Sequence, residues 1–362
     1  IDVRASSRQY EANLVAVVAV SGTAAGSGAV ATNVFDATTT ASVIGTTATS
    51  QAGSAVSATA SQWSLAAALG LAASGEVGGA ASAAVTLFKS HTDALVDGGK
   101  VQAGSLDVLA NDATSGSQLG GAIGFGAGTA GVAGVALVNV DNAETSATVQ
   151  NHTSINSPGN VAVQATSSND AQGLAIGGAV GLFAGVAGGA AVNVIADSTH
   201  ASVDDSTLTA GSVAVKAIDT QLLNVYSGQL GGGFVGVGGG INLSLLQASV
   251  GAGVLDSTAT ATNGDLAVAA SSTSNVTSVA ASAGVGAVGV GLSAGVVVAG
   301  SGDIGDTSDG NNGNVDTQGN LNASGQVNMG NLGSLSSGNR VDSNVSNYGL
   351  SSDQLGSSDI NQ

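Results

Sequence analysis

Five side chains in one run could hold a hard cation. Asp303, Asp306, Asp309, Asn311 and Asp316 fall within a Gly/Asn-rich segment, 302–316. Calcium takes several carboxylate and carbonyl oxygens converging from a flexible loop. It is therefore the one cofactor for which the sequence offers ligands. The run lacks the closing Glu of an EF-hand, and a solvated acidic turn is the competing reading. Asp204 and Asp205 form a second, smaller carboxylate pair. Catalysis finds less to work with. His91 and His200 stand beside Thr92 and Thr199 at nearly equivalent places in a repeat. A catalytic residue is normally unique, so a structural, exposed role is expected of the histidines. Serine is abundant, but no nucleophile elbow stands between a strand and a helix. Gly231-Gly-Gly-Phe-Val-Gly236 mimics a phosphate loop, yet no Lys-Ser/Thr closes it. The basic residues are Arg4, Arg8, Lys89, Lys100, Lys216 and Arg340. They are too scattered to build the groove of a polysaccharide lyase. The expectation is a protein that is not an enzyme, with no catalytic residue.

The elements that must carry any such site are set by composition. Of 362 residues 57 are glycine, 2% are aromatic, 8% are charged and one is proline. Average soluble domains carry roughly 25% charged residues. Few large side chains exist to fill a thick core, so thin layered sheets with glycine and alanine on their packing faces suit the chain. The net charge of −18 excludes a nucleic-acid partner, because phosphate binding needs clustered Lys and Arg. With no cysteine, disulfides and thiolate sites are excluded. The chain opens at Ile1 in mid-repeat without an initiator Met, as expected of a processed product or a piece of a longer polypeptide.

A short strand entered from a glycine returns along the chain. It reads Ser212-Val-Ala-Val-Lys-Ala after Gly211, Asn160-Val-Ala-Val-Gln-Ala after Gly159 and Asp265-Leu-Ala-Val-Ala-Ala after Gly264. Weaker copies follow Gly104 and Gly53. A fixed period near 53 residues is the signature of a repeat array. The units run approximately 1–53, 54–104, 105–159, 160–211, 212–264 and 265–300. Each continues into a long uncharged Gly/Ala/Val stretch and ends in a Thr/Ser/Asp-rich alternating segment.

In the stretch 174–196 the even positions are mostly bulky and the odd ones mostly small. That is the period of a strand rather than a helix. In 279–298 the bulky positions change parity near Ala287, which predicts a bulge or tight turn there. Gly128-Thr-Ala-Gly131 is another predicted turn. Dividing each apolar stretch in two gives roughly four strands per repeat. A recurring Asn (Asn33, Asn139, Asn193, Asn242) between apolar neighbours predicts an internal amide ladder along the stack, with a solvent-facing turn as the alternative. Thr145 and Thr199 begin alternating segments expected on the outer wall. The uncharged stretches exceed the length of a membrane helix, but their period of two and the lack of flanking anchors argue against a membrane span. Residues 301–362 change composition, and Val315, Leu321, Val327 and Leu332 hint at narrow six-residue rungs, an extended strand or a linker.

The fold class that follows is all-β: an elongated repeat array, a parallel β-solenoid or β-helix-like stack with Gly/Ala-rich close-packed sheets. One unit leaves open edges and an apolar face, so stacking must stabilise it. The partner expected is a second copy, in a homo-oligomer or filament formed through β edges or Gly/Ala faces. Thr-Ala-Gly-Ser-Val-Ala-Val-Lys-Ala (Thr209 to Ala217) with Ala-Val-Asn-Val (Ala191 to Val194) resembles the β-strand repeats of giant bacterial surface proteins, the haemagglutinin-like filamentous adhesins and leukotoxin-like autotransporter passengers. The resemblance covers roughly residues 1–300. It implies a secreted or surface-exposed, elongated solenoid used in adhesion or matrix building, and brings no functional residues with it. The function expected is that of a structural protein of an extracellular or cell-surface fibre. The alternative is an adhesin passenger module that binds glycan or another cell surface.

Overall fold

The structure, a computed structural model, describes residues 1–301. In chain order the strands are β1 (Asp2–Ser21), β2 (Ala24–Thr49), β3 (Gly53–Ser74), β4 (Val77–Gln102), β5 (Ser105–Gly126), β6 (Ala130–Gln150), β7 (Ser154–Gly181), β8 (Ala184–Asp204), β9 (Thr207–Gly232), β10 (Val235–Leu255), β11 (Thr258–Ala261), β12 (Leu266–Val285) and β13 (Val288–Ser301). Every pairing is parallel and joins a segment to its copy one repeat away: β1–β3–β5–β7–β9–β12 form one face. β2–β4–β6–β8–β10–β13 form the other. We call these sheet I and sheet II. The chain winds up one sheet and back down the other, so the fold is the expected parallel β-solenoid. Among the described residues no helix is long and apolar enough to cross a membrane.

Each coil holds two long strands, not four short ones. The Ser-Val-Ala-Val-Lys-Ala segment runs on without a break into the first half of the Gly/Ala stretch, giving β9 its 26 residues. The second half runs on into the Thr/Ser segment. Between the halves lies a tight reversal, at Gly22-Thr23, Gly75-Glu76, 127–129, Leu182-Phe183, Gly233-Phe234 and Gly286-Ala287. The turns expected at Gly128 and near Ala287 are therefore present. The reversal at Leu182-Phe183 left no mark in the pattern, because buried Gly181 and Gly185 are an even number of residues apart. Parity survives an even step and flips on an odd one.

The other end of the coil is broader. Residues with positive φ turn the chain there: Gly45, Gly98 and Gly99, Asn151 and His152, Asp205, Asp256. A short third facet follows, in which Thr46–Thr49 pairs with 99–102, Lys100–Gln102 with Ser154–Asn156, Ser154–Ser157 with 207–210, and β11 with the same segment of β9.

The core tapers to match. At the broad end Val56, Val96, Leu106, Val108, Ile155, Val163, Leu208 and Val215 fill the space between three facets. Toward the tight reversal the inward residues shrink to Ala66, Ala68, Ala84, Ala122, Ala175 and Ala191, with a few larger ones such as Leu137 and Ile195. At the reversal itself the sheets meet backbone to backbone. A Cβ on Gly185 would lie 2.5 Å from the Ala179 carbonyl oxygen and strike the Gly232 carbonyl. One on Gly238 would lie 2.5 Å from the Ala283 carbonyl. Glycine here is required by close approach rather than by backbone conformation. The odd-numbered, mostly small residues of 174–196 outside the reversal thus face inward, while Leu174, Ile176, Val180 and Val186 are exposed.

Gly181→Val or Gly185→Val will destabilise the chain by about 3 kcal/mol or more, since backbone rather than a flexible side chain must move. Gly188→Val, where a Cβ meets nothing within 4 Å, will leave the urea midpoint nearly unchanged. Equal midpoints for the three variants would show that the sheets do not close at the reversal.

Candidate functional site

The two apolar clusters are separated by a layer of inward polar side chains. Sheet I supplies two columns: Ser7, Ala60, Asp112, Ser167, Asp219 and Ser272, then Gln9, Gln62, Thr114, Asn169, Gln221 and Ser274. Sheet II supplies Thr39, Thr92, Thr145 and Thr199 in one column, and Asn33, Thr86, Asn139, Asn193 and Ser244 in another. Asp141 occupies a column otherwise made of Phe35, Phe88, Ile195 and Leu246, where the two Phe rings stack at 4.9 Å.

Parallel in-register pairing explains the arrangement. The step of one coil brings equivalent residues into contact, so one inward polar position becomes a column. The threonines expected on the outer wall belong to it: Thr145 and Thr199 are completely buried. Ala147 and Val149, two and four residues on, are buried beside Thr145 because they share its face.

Hydrogen bonds in this layer run mainly across the sandwich. Thr92 donates to Asp112 at 2.9 Å and Thr114 to Asp141 at 2.8 Å. Asn169 also donates to Asp141, and Gln221 donates to Asp197 at 3.1 Å. Two bonds follow the stack instead, from Ser272 to Asp219 at 3.2 Å and Ser274 to Gln221 at 3.2 Å. The recurring asparagines are internal, as expected, but do not bond to one another. Asn33 donates across to Ser64 and to the Leu65 carbonyl. Asn242 donates to the Val279 carbonyl. It also stands out of the column, paired with Ala191 while Ser244 pairs with Asn193. Neither amide atom of Asn139 has a partner among the described residues.

Asp112, Asp141, Asp197 and Asp219 are each at most 3% exposed. One oxygen of each accepts a bond described above, and the other is buried without a partner. None of the buried side chains among the described residues is Lys, Arg or His. Only a proton is then at hand to neutralise these carboxyls. Loss of water around the charged form is the main influence on all four. It pushes Asp141 and Asp219 up to about 7, against the hydrogen bonds they accept. It also raises Asp112, where Ser90 and Thr92 counter it in part. Asp197 lies well above the ordinary carboxylate value, pushed further by the charges of Asp141 and Asp219.

The residues singled out from sequence lie elsewhere. Asp303, Asp306, Asp309, Asn311 and Asp316, the candidate calcium ligands, are outside the described residues, as are Val315, Leu321, Val327 and Leu332. Asp204 ends β8. Asp205, in the corner turn, faces His152 at 2.8 Å and receives the His152 amide proton on its carbonyl at 2.6 Å. His91 lies 3.2 Å from Glu144 on the surface. It pairs in register with Glu144, whereas His200 pairs with Ser146, two positions along. The two histidines occupy neighbouring outer columns rather than one. Among the described residues no three His, Cys, Asp or Glu side chains converge to hold a metal ion.

The buried acids were within reach of the sequence. Leu106, Val108, Ala110, Asp112 and Thr114 share one parity, and so do Val213, Val215, Ala217, Asp219 and Gln221. Continuing the alternation past the apolar residues places both carboxyls inside. No protein-family model, no curated protein and no solved structure matches the chain.

The pH dependence follows from these shifts. An unfolded Asp titrates near 3.9, whereas folded Asp141 and Asp219 titrate at about 7. Between those values the folded state holds more protons, so stability falls as pH rises. The stability is fully present below about pH 4 and is lost as pH passes through 7, by on the order of a few kcal/mol per group. The urea midpoint at pH 5 will exceed that at pH 8. Asp141→Asn with Asp219→Asn will flatten the profile, because neither amide titrates. A midpoint that rises from pH 5 to pH 8 in the parent chain would show that these carboxyls are ionised in the fold.

Proposed function

We propose that the chain is a structural protein of an extracellular or cell-surface bacterial fibre, a self-associating β-solenoid without catalytic activity. The observation that carries this reading is the outer surface. Leu14, Val18, Leu71, Ile123, Phe125, Ile176, Val180 and Leu230 are all exposed on sheet I. Soluble monomers rarely expose contiguous apolar patches beyond a few hundred Å². Register stacks these residues coil upon coil, so they form columns rather than scattered points.

Two further features support it. The repeat places equivalent residues at equivalent heights on every coil, which gives the surface a lattice that another copy can match. The buried acid layer keeps its neutral form in mildly acidic surroundings, which suits a protein displayed outside the cell in this reading. Six coils rise only about 29 Å at the usual strand spacing, so fibre length in this reading comes from association of copies. The resemblance to filamentous adhesins agrees with secretion and display on a bacterial surface.

Negative-stain microscopy of the purified chain over a concentration series tests the proposal. Filaments or laterally associated sheets are expected, with loss of single particles as concentration rises. Single particles at every concentration that bind glycan or cell surface saturably would replace it with the adhesin reading.

A further inference from the structure

The outward face of sheet II has a feature that its fold does not require. From the reversal to mid-strand it presents six outward positions on each of six strands, and Thr32 is the only polar residue among them. One column reads Gly28, Ala81, Gly134, Gly188 and Gly239, and ends in exposed Leu292 on β13. These glycines differ from those inside the coil. A Cβ on Gly28, Gly134 or Gly188 would meet nothing within 4 Å. Their φ angles are not in the left-handed region. Glycine in a strand interior is less favourable than alanine by roughly 0.5–1 kcal/mol, and nothing within the coil compels it here. Gly28, Ala81, Gly134 and Gly188, with their neighbours on β2, β4, β6 and β8, line an open trough of about 610 Å³. Val132 and Val186 stand along one side, two residues before the glycines.

The outward face of sheet I carries more large side chains over the same coils, interrupted by Gly121, Gly178 and Gly228. Leu119, Ile123 and Phe125 on β5, and Leu174, Ile176 and Val180 on β7, project from it. The face is uncharged over four columns near the reversal. Both faces repeat with the same coil spacing because one chain winds through both.

We infer that the trough on sheet II receives the aliphatic columns on sheet I of a second copy. The inference rests on the fibre reading and names the surfaces that make it. Size favours a protein partner. Four outward columns about 6.6 Å apart over the five coils before Leu292, about 4.8 Å apart, give roughly 630 Å² on each partner. The total of about 1,260 Å² lies at the lower end of the range of specific protein interfaces. Charge favours it too. A chain of net charge −18 repels its copies, and these two faces are where carboxylates are missing. Relief decides between faces: knobs meeting an empty floor pack at contact distance, whereas two troughs facing each other would enclose a void. Because the two surfaces differ, the contact is head-to-tail in the sense of symmetry. It leaves a free trough and a free ridge at each step, and so propagates.

The chain has no cysteine, so single introduced thiols report the contact. Gly134→Cys and Ile123→Cys chains, mixed and oxidised, will form the mixed disulfide dimer in preference to either homodimer. Gly134→Glu, whose Cβ meets no atom of its own fold within 4 Å, will keep the parent circular dichroism and raise the concentration needed for assembly at least tenfold. Three results overturn the inference. Gly134→Cys cross-linking chiefly to itself would mean trough against trough. Gly134→Glu assembling as the parent does would leave the fibre reading standing on β edges alone. Parent chain that stays single in solution but sediments with neutral phosphatidylcholine vesicles would mean that lipid covers the trough, and the fibre reading would fall with it.

Discussion

The approach of two backbones with no side chain between them is the constraint on which these coils depend. Near the reversals of the later coils the carbonyls of one sheet occupy the space where a Cβ of the other would stand, as at Gly185 and Gly238. Contact this close is possible only if the inward residues are glycine, and it forces alanine for several residues beyond. The sheets then diverge, and Val, Leu and Ile fill the wedge up to the third facet. Composition, taper and coil shape are one fact seen three ways. The few bulky residues are placed where the gap is wide, and the rest are left on the outside.

That outward placement reverses the usual rule. Apolar side chains normally mark the buried face of a strand, yet in β7 the buried residues near the reversal are Ala175, Gly177, Ala179 and Gly181, while Leu174 and Ile176 are exposed. The driving force for folding must come largely from the broad end and from backbone pairing across coils. Hydrophobic area left outside is free energy not yet gained, about 25 cal/mol for each Å² that a partner would remove from water. A solenoid built this way is stabilised by company.

The polar layer between the clusters introduces specificity of register. A coil slipped by one position would bring Asp112 or Gln221 to the surface and bury an outer residue in its place. Slipping a coil by two would break the cross-sandwich bonds from Thr92 to Asp112 and from Thr114 to Asp141. Buried carboxyls without cationic partners are an expensive means to that end, because their charged forms lack water. Protonation lowers the penalty, which ties the integrity of the layer to the acidity of the surroundings.

Period alone determined that this chain is a stack of parallel strands. A step near 53 residues with alternating small and large side chains leaves a repeat array as the answer, and Gly128 and Ala287 marked two of its reversals. It also offered an inside place for the recurring asparagines, though not the bonds they make there. What it left open was direction. Alternation tells which residues share a face but not which face is inward, and here the smaller side chains face in. That choice depends on how close the opposite sheet lies, a distance no local pattern contains. The same gap hid the reversal at Leu182-Phe183, where an even step kept the alternation unbroken, and sent Thr145 and Thr199 to the wrong side. The asparagine bonds across the sandwich, and the threonine and glutamine partners of the buried acids, were likewise settled by tertiary structure, because partners some 20 to 30 residues apart meet only after the chain has folded back on itself.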